Sequence, residues 1–108
     1  MKLSTIKKRY PNAFHKFYTS KFCENYYLRI ANVPIMETDA RNHWKEITDF
    51  MDKQGIKIYA YPNGKSWIYV IIGVFRIERG LKNRQQAETK AIEKAFEILE
   101  GRSKRANT

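Results

Sequence analysis

The fold is decided by residues 56–101, "IKIYAYPNGKSWIYVIIGVFRIERGLKNRQQAETKAIEKAFEILEG". Aliphatic residues alternate with lysine and tyrosine over 56–61, which is the period of a half-buried strand. Asn63-Gly64 is the dipeptide that favours a two-residue hairpin turn. The second strand, 67–72, is apolar on both faces and predicts the middle strand of a sheet that is covered at least in part on both sides.

The rest of this stretch completes an antiparallel meander and adds a helix. A third strand is predicted over 74–79, with Phe75 and Ile77 on one face. An alanine-lined helix then covers 83–100, and its small side chains allow close approach to a sheet. Gly101 is predicted to end that helix.

The N-terminal half adds two further helices. Aromatic residues at helical spacing predict a helix near 11–22. An extended connection follows, with a possible edge strand over 26–31. A second helix begins at an N-cap, Thr38 or Asp39, and ends before Gly55.

These elements predict a single α+β domain over 1–108, in the order α-(extended)-α-β-β-β-α. A three-stranded antiparallel meander is expected to pack against helices. The two basic ends, 1–10 and 101–108, are expected to be flexible.

Positive charge is concentrated at the ends of the chain. The net charge is +10, and residues 1–21 hold six basic residues and no acidic one. Residues 102–108 add three basic residues, so the remainder, with twelve basic and eleven acidic residues, is close to neutral. Such uneven charge favours binding to a polyanion, although high charge also serves solubility alone.

The start of the last helix carries a second sign of phosphate binding. Lys82 and Arg84 lie where the helix dipole disfavours cations, and a bound phosphate would remove that conflict. The alternative is that Asn83 simply caps the helix and the cations are solvated. The candidate nucleic-acid-binding residues are Lys7, Lys8, Arg9, Arg79, Lys82, Arg84, Arg102, Lys104 and Arg105.

The hairpin offers aromatic side chains as well. Tyr59 and Tyr61 share one face, and Trp67 and Tyr69 share one on the next strand. Exposed rings of this kind can stack on single-stranded bases. The alternative is that most of them are core residues or cross-strand pairs.

Sequence signatures of catalysis are absent. His15, His43 and Cys23 have no metal-ligand or nucleophile–base spacing around them, and no Walker or Gly-rich phosphate loop occurs. We therefore expect no catalytic residue, no metal and no cofactor, and a protein that is not an enzyme. One cysteine and no apolar run of membrane length favour a cytoplasmic protein without a membrane partner.

Two resemblances follow from these motifs. Residues 39–100 resemble the double-stranded-RNA-binding domain in element order, and in that family lysines at the start of the last helix contact phosphates across the major groove. Lys82 and Arg84 match those positions, whereas Gln85 and Gln86 stand where a second lysine is usual. The segments "KKRYPNAFHKF" and "GLKNRQQAETKAIEKAFEILE" are together similar to small uncharacterised bacterial and phage proteins.

The function predicted from the sequence is a non-enzymatic nucleic-acid-binding accessory module that acts through phosphate contacts with RNA or DNA. The alternative is a protein–protein interaction module or a homodimeric regulator. In that case the stripe formed by Phe14, Phe17, Tyr18 and Phe22 would be an exposed docking surface.

Overall fold

The structure is a computed structural model that describes residues 1–23 and 35–106. It has the α+β fold that the sequence predicts. The helices and strands whose bounds lie within the described residues are α1 (Leu3–Arg9), α2 (Pro11–Tyr18), α3 (Trp44–Lys53), β1 (Lys57–Asn63), β2 (Ser66–Ile72), β3 (Arg76–Leu81) and α4 (Arg84–Ala106). Two short 3-10 helices, Ile35–Glu37 and Ala40–His43, precede α3. The edge strand predicted over 26–31 falls outside the described residues.

The sheet is the predicted antiparallel meander, with β2 in the middle. Tyr59 of β1 pairs with Val70 of β2, which pairs on its other side with Ile77 of β3. The register of β3 shifts between the pairs Trp67–Leu81 and Tyr69–Glu78, so β3 carries a bulge. Because of the bulge, the last residue of β3 turns back towards the helices and is buried.

The helices cover one face of this sheet. Helix α4 contacts all three strands, and Ala87, Ala91 and Ala95 are completely buried in it. Their small side chains let the helix lie close to the strands. Phe17 of α2 packs edge-on against Phe50 of α3 and Phe96 of α4, with ring centroids 5.4 and 6.0 Å away. The aromatic stripe of the first predicted helix is therefore mainly core, and its exposed member is Tyr18.

The N-terminal end, which the sequence predicted to be a flexible basic segment, contains helix α1. Leu3 and Ile6 of α1 are fully buried. The backbone N–H of Leu3 donates to the Thr38 carbonyl at 3.1 Å, and the N-terminal ammonium lies 3.4 Å from Asp39 Oδ2. Those partners lie more than thirty residues away along the chain, which is why local sequence could not reveal the helix.

Three predicted boundaries are also wrong. The hairpin turn is Gly64-Lys65 and not Asn63-Gly64, because Asn63 pairs with Ser66 as the last residue of β1. Gly64 has a φ of +67°, which suits the first position of a type II′ turn. The helix predicted over 11–22 ends at Tyr18, where the Thr19 hydroxyl donates back to the His15 carbonyl at 2.8 Å.

At the C-terminal end, α4 continues through Gly101 to Ala106, so Gly101 does not end the helix and residues 101–106, predicted as part of a flexible end, are helical. The Arg102 guanidinium donates to the Gln54 carbonyl at 2.9 Å, at the end of α3. Ser103 is buried. These tertiary contacts outweigh the cost of about 1 kcal/mol that glycine brings to a helix interior. Within the described residues, no helix is both long and apolar enough to span a bilayer.

Candidate interaction surface

The predicted phosphate site at the start of α4 is occupied by the helix's own side chains. Asn83 Oδ1 accepts from the Gln86 backbone N–H, and Gln86 Oε1 accepts from the Lys82 backbone N–H, both at 2.8 Å. This reciprocal pair resembles a capping box. Arg84 Nε lies 3.4 Å from a carboxylate oxygen of Glu88 one turn further along. Lys82 is exposed.

The remaining predicted cations lie on different surfaces of the molecule. Arg9 is paired with Glu93 at 3.0 Å, and Arg102 is held by the end of α3. Lys7 and Lys8 are exposed on α1, within the helical part of the fold. Lys104 is exposed near the end of α4, and the Arg105 side chain is outside the described part of the chain. Arg79 is exposed in β3, within the stretch where the register of that strand shifts. The eight described residues of this set therefore lie on several elements, namely α1, β3, the loop before α4 and both ends of α4.

The uncovered side of the sheet is a continuous apolar surface, which we call the open face. Its three rows across the strands are Tyr59–Val70–Ile77, Tyr61–Ile68 and Lys57–Ile72. The side chains of Tyr59, Tyr61, Ile72 and Ile77 are each about half exposed. Ile68 is buried although it lies outside the main core cluster, which indicates that its neighbours on this face cover it. Helix α3 borders this face at the β1 edge, where Trp44 and Thr48 line a depression together with Tyr59.

Charge divides the two sides of the sheet. The open face carries Lys57, Lys65 follows in the turn, and none of the strand positions paired on this side is acidic. Glu78 lies on the helical side, where it accepts from Lys90 Nζ at 3.0 Å. The hydrogen bond from Lys90 lowers the pKa of Glu78. Desolvation by burial opposes this shift, and a hydrogen bond with Tyr69 adds to it. Lys57 Nζ lies 3.7 Å from Asp52 at the sheet edge.

The turn between β2 and β3 exposes an aromatic side chain in a disfavoured conformation. Phe75 has a φ of +53° and is 86% exposed. It was predicted to lie within the third strand, but β3 begins one residue later. A bulky residue in the left-handed region is uncommon because its Cβ crowds the backbone. Gly73 allows this turn to approach α3 closely, because a Cβ there would lie 2.4 Å from the Gly55 carbonyl oxygen.

The turn also borders an open depression against α4. The depression has a volume of about 480 Å³, and Lys94 and Ile98 of α4 line it together with Phe75. An exposed, conformationally disfavoured aromatic residue beside an apolar surface is typical of a binding site.

Of the two histidines and the one cysteine, His43 and Cys23 are buried and His15 is exposed on α2. His43 Nε2 lies 2.6 Å from the Thr38 hydroxyl, and burial lowers the pKa of His43. Within residues 1–23 and 35–106, no three His, Cys, Asp or Glu side chains form a possible metal-binding group.

The apolar pattern of β2 predicted cover at least in part on both sides and so did not identify the open face, although helices were expected on one face of the sheet. The signal was nevertheless present, since Lys57, Tyr59 and Tyr61 fall on one face of β1. A face that combines lysine and tyrosine is less suited to a second packed layer than to solvent or a partner. Of the four aromatic residues considered for base stacking, Tyr69 is buried and Trp67 is partly buried on the helical side.

Comparison of this chain with protein-family models, curated proteins and solved structures gave no match. The likeness to the double-stranded-RNA-binding domain and to the bacterial and phage proteins therefore stays a prediction.

Proposed function

We propose that this chain is a non-enzymatic interaction module that binds a protein partner on the open face of its sheet. The observation that carries the proposal is a continuous, half-exposed row of apolar side chains, with Tyr59 and Ile77 on either side of Val70. Exposed apolar patches of this kind mark interaction surfaces in soluble proteins.

Charge complementarity supports an acidic partner. Lys57 and Lys65 border the open face, and a partner segment with apolar side chains flanked by Asp or Glu would match both its centre and its rim. The net charge of +10 further favours encounter with an acidic partner.

A second copy of the chain fits this surface less well. Two copies would each bring a net charge of +10 to the contact. Three strands of six or seven residues present a face of roughly 14 by 23 Å, or about 300 Å², from the ordinary strand dimensions. A stable interface buries about 800 Å² on each partner. The open face alone is therefore small for a dimer.

Phe75 supports the same conclusion at the end of the sheet. Its ring is exposed, and its backbone conformation costs on the order of 1 kcal/mol. It contributes little burial to the fold, so a role as an anchor in a partner's pocket accounts for an aromatic side chain at this position.

Nucleic-acid binding is the second candidate, and the exposed rings of Tyr59 and Tyr61, together with the net charge of +10, favour it. Bases stack on aromatic rings, however, and the middle strand presents aliphatic Ile68, Val70 and Ile72 to the open face. An aliphatic centre is better suited to protein side chains.

The test is a displayed library of random 15-residue peptides, selected on the immobilised protein at 150 mM salt. The proposal predicts enrichment of sequences in which apolar residues adjoin Asp or Glu. Tyr59→Ala should weaken binding of a selected peptide about tenfold, because tyrosines are frequent anchors of interfaces. Tyr18→Ala is a matched control, since Tyr18 is 48% exposed and Tyr59 is 47% exposed. The control should change binding less than about twofold, the effect of a residue outside an interface.

A parallel titration with 20-nucleotide RNA and DNA, single- and double-stranded, separates the two candidates. Suppose that an oligonucleotide binds at micromolar concentration, that Tyr59→Ala abolishes this binding, and that no acidic peptide is selected. The open face would then be a nucleic-acid-binding surface and not a protein-docking surface. Such binding should weaken steeply from 50 to 300 mM salt because of counterion release. If neither peptides nor oligonucleotides bind, the proposed function is wrong.

A further inference from the structure

A second apolar site lies on the helical part of the molecule, away from the open face. It is a cleft of about 700 Å³ between α1 and α2, beside the 3-10 helix Ile35–Glu37. Pro11, Phe14, Tyr18 and Met36 supply its apolar lining. Clefts of 300–1,000 Å³ with such a lining are the usual size of small-ligand sites.

The aromatic wall of the cleft is fixed by the core. The rings of Phe14 and Tyr18 are stacked, with centroids 5.7 Å apart and planes 25° apart. Phe14 is itself buried, and its ring packs edge-on against Phe17 at 6.4 Å. Tyr10 alone separates α1 from α2, so the two walls are held by one short connection. A ligand would therefore meet a largely preformed surface.

Positive charge lines the mouth of this cleft. Lys7 and Lys8 border it from α1, and none of the described residues that line it is acidic. The next residue, Arg9, is paired with Glu93, whereas Lys7 and Lys8 have no ion pair within the described part of the chain. His15 adds a further basic group on the α2 side.

We propose that this cleft binds a small amphiphilic anion, a compound with a carboxylate head and an apolar chain or ring. The apolar part lies against Phe14 and Tyr18, and the carboxylate lies beside the ammonium groups of Lys7 and Lys8. The combination of an apolar floor with cations at one edge selects for this class, because neither an uncharged apolar molecule nor a small hydrophilic anion satisfies both parts. This site is independent of the function proposed for the open face.

The probe is dodecanoate, titrated below its critical micelle concentration into the full ¹⁵N-labelled chain and followed by amide chemical shifts. Dodecyltrimethylammonium has the same chain with the opposite charge, and acetate has the same head without the chain. We expect saturable dodecanoate binding with shifts concentrated at Ser4, Lys8 and Thr19. We expect at least tenfold weaker binding of both comparison compounds.

Two pairs of variants locate the site. Lys7→Gln/Lys8→Gln should weaken dodecanoate binding about tenfold, because it removes both ammonium groups beside the carboxylate. Lys82→Gln/Lys104→Gln removes the same charge elsewhere and should have less than a twofold effect. Tyr18→Ala removes one wall and should weaken binding, whereas Tyr59→Ala on the open face should not.

Three results would overturn the inference. Equal binding of dodecanoate and dodecyltrimethylammonium would mean that Lys7 and Lys8 do not favour an anionic head group over a cationic one. Chemical-shift changes centred on Tyr59 and Ile77 would show that dodecanoate binds to the open face and not in the cleft. Absence of saturation would mean that the cleft holds no such ligand, and urea unfolding of each variant shows whether its loss of binding reflects a loss of folding.

Discussion

The two faces of the sheet differ less in composition than in what covers them. Strand β2 directs Tyr69 and Ile71 towards the helices, and both are buried. The alternate residues Val70 and Ile72 point to the open face, where Ile72 is 45% exposed. Apolar side chains alone therefore do not identify the core side of this strand. The alanine-lined surface of α4 identifies the core side, because its small side chains let α4 pack closely on that face of the sheet.

Polar groups sharpen the same contrast. On the helical side, carboxylates are used within the fold: Glu78 binds Lys90, and the buried Glu100 binds the start of α2. On the open side, Lys57 lies 3.7 Å from Asp52 at the sheet edge, whereas Lys65 in the hairpin turn has no ion pair within the described part of the chain. An acidic partner would pair with such an exposed cation.

The largest predicted effect compares two adjacent isoleucines on opposite faces of β2. Ile71 is fully buried, so Ile71→Ala should lower the free energy of unfolding by about 3 kcal/mol through lost burial and a cavity. Ile72→Ala should lower it by less than about 1 kcal/mol, because the side chain is already half exposed. Urea unfolding of both variants measures the difference. Equal losses would mean that the open face is part of the structural core.

The second effect concerns the carboxylate that caps α2. Glu100 accepts from the backbone N–H groups of Asn12 and Ala13 at 2.8 and 2.9 Å and from the Asn12 side-chain amide at 2.8 Å. Glu100→Ala should cost about 2 kcal/mol of unfolding free energy, since it leaves buried donors without an acceptor. Glu97→Ala, on the exposed side of the same helix, is the control and should cost less than about 0.5 kcal/mol. The same loss from both would show that Glu100 does not cap α2.

The third effect is a pH dependence specific to the covered face. Burial, reinforced by Glu78 beside it, raises the pKa of Tyr69 to about 12. The unfolded chain releases that proton near pH 10, so this contribution to stability is complete below pH 10 and declines as the pH rises towards 12. Unfolding of the wild type should become easier over this interval, and Tyr69→Phe should show a smaller decline. Identical slopes for the two proteins would exclude Tyr69 as the cause.

The smallest effect concerns Phe75, whose conformation is expected to lower stability while its exposed ring contributes to binding. Phe75→Gly should raise the free energy of unfolding by about 0.5–1 kcal/mol, because glycine adopts the positive φ without strain. Phe75→Ala keeps the Cβ and should give no such gain. Thermal unfolding measures both, and Phe75→Gly should also weaken a selected peptide. A loss of stability in the glycine variant would show that the exposed ring supports the fold.

The sequence predicted the α+β fold and the order of its strands because alternation, helical spacing and turn residues are local signals. It missed α1, because the burial of Leu3 and Ile6 depends on residues near position 38. It placed a helix end at Gly101, where contacts with α3 continue the helix.

The candidate site was harder to predict for the same reason. Arg9 is paired with Glu93, which lies 84 positions away in the chain, and Arg102 is hydrogen-bonded to the Gln54 carbonyl, 48 positions away. The sequence could not show that these two cations are already bound within the fold. Whether a second layer covers β2 is also a property of the whole fold.

The central claim is that the open face binds a partner. The most direct test is to add an acidic peptide selected on the protein to the ¹⁵N-labelled chain and to map the amide shifts. We predict that the shifts concentrate at Tyr59, Val70, Ile77 and the turn around Phe75. Shifts confined to α1 and α2, or shifts that are unchanged in Tyr59→Ala, would contradict the claim.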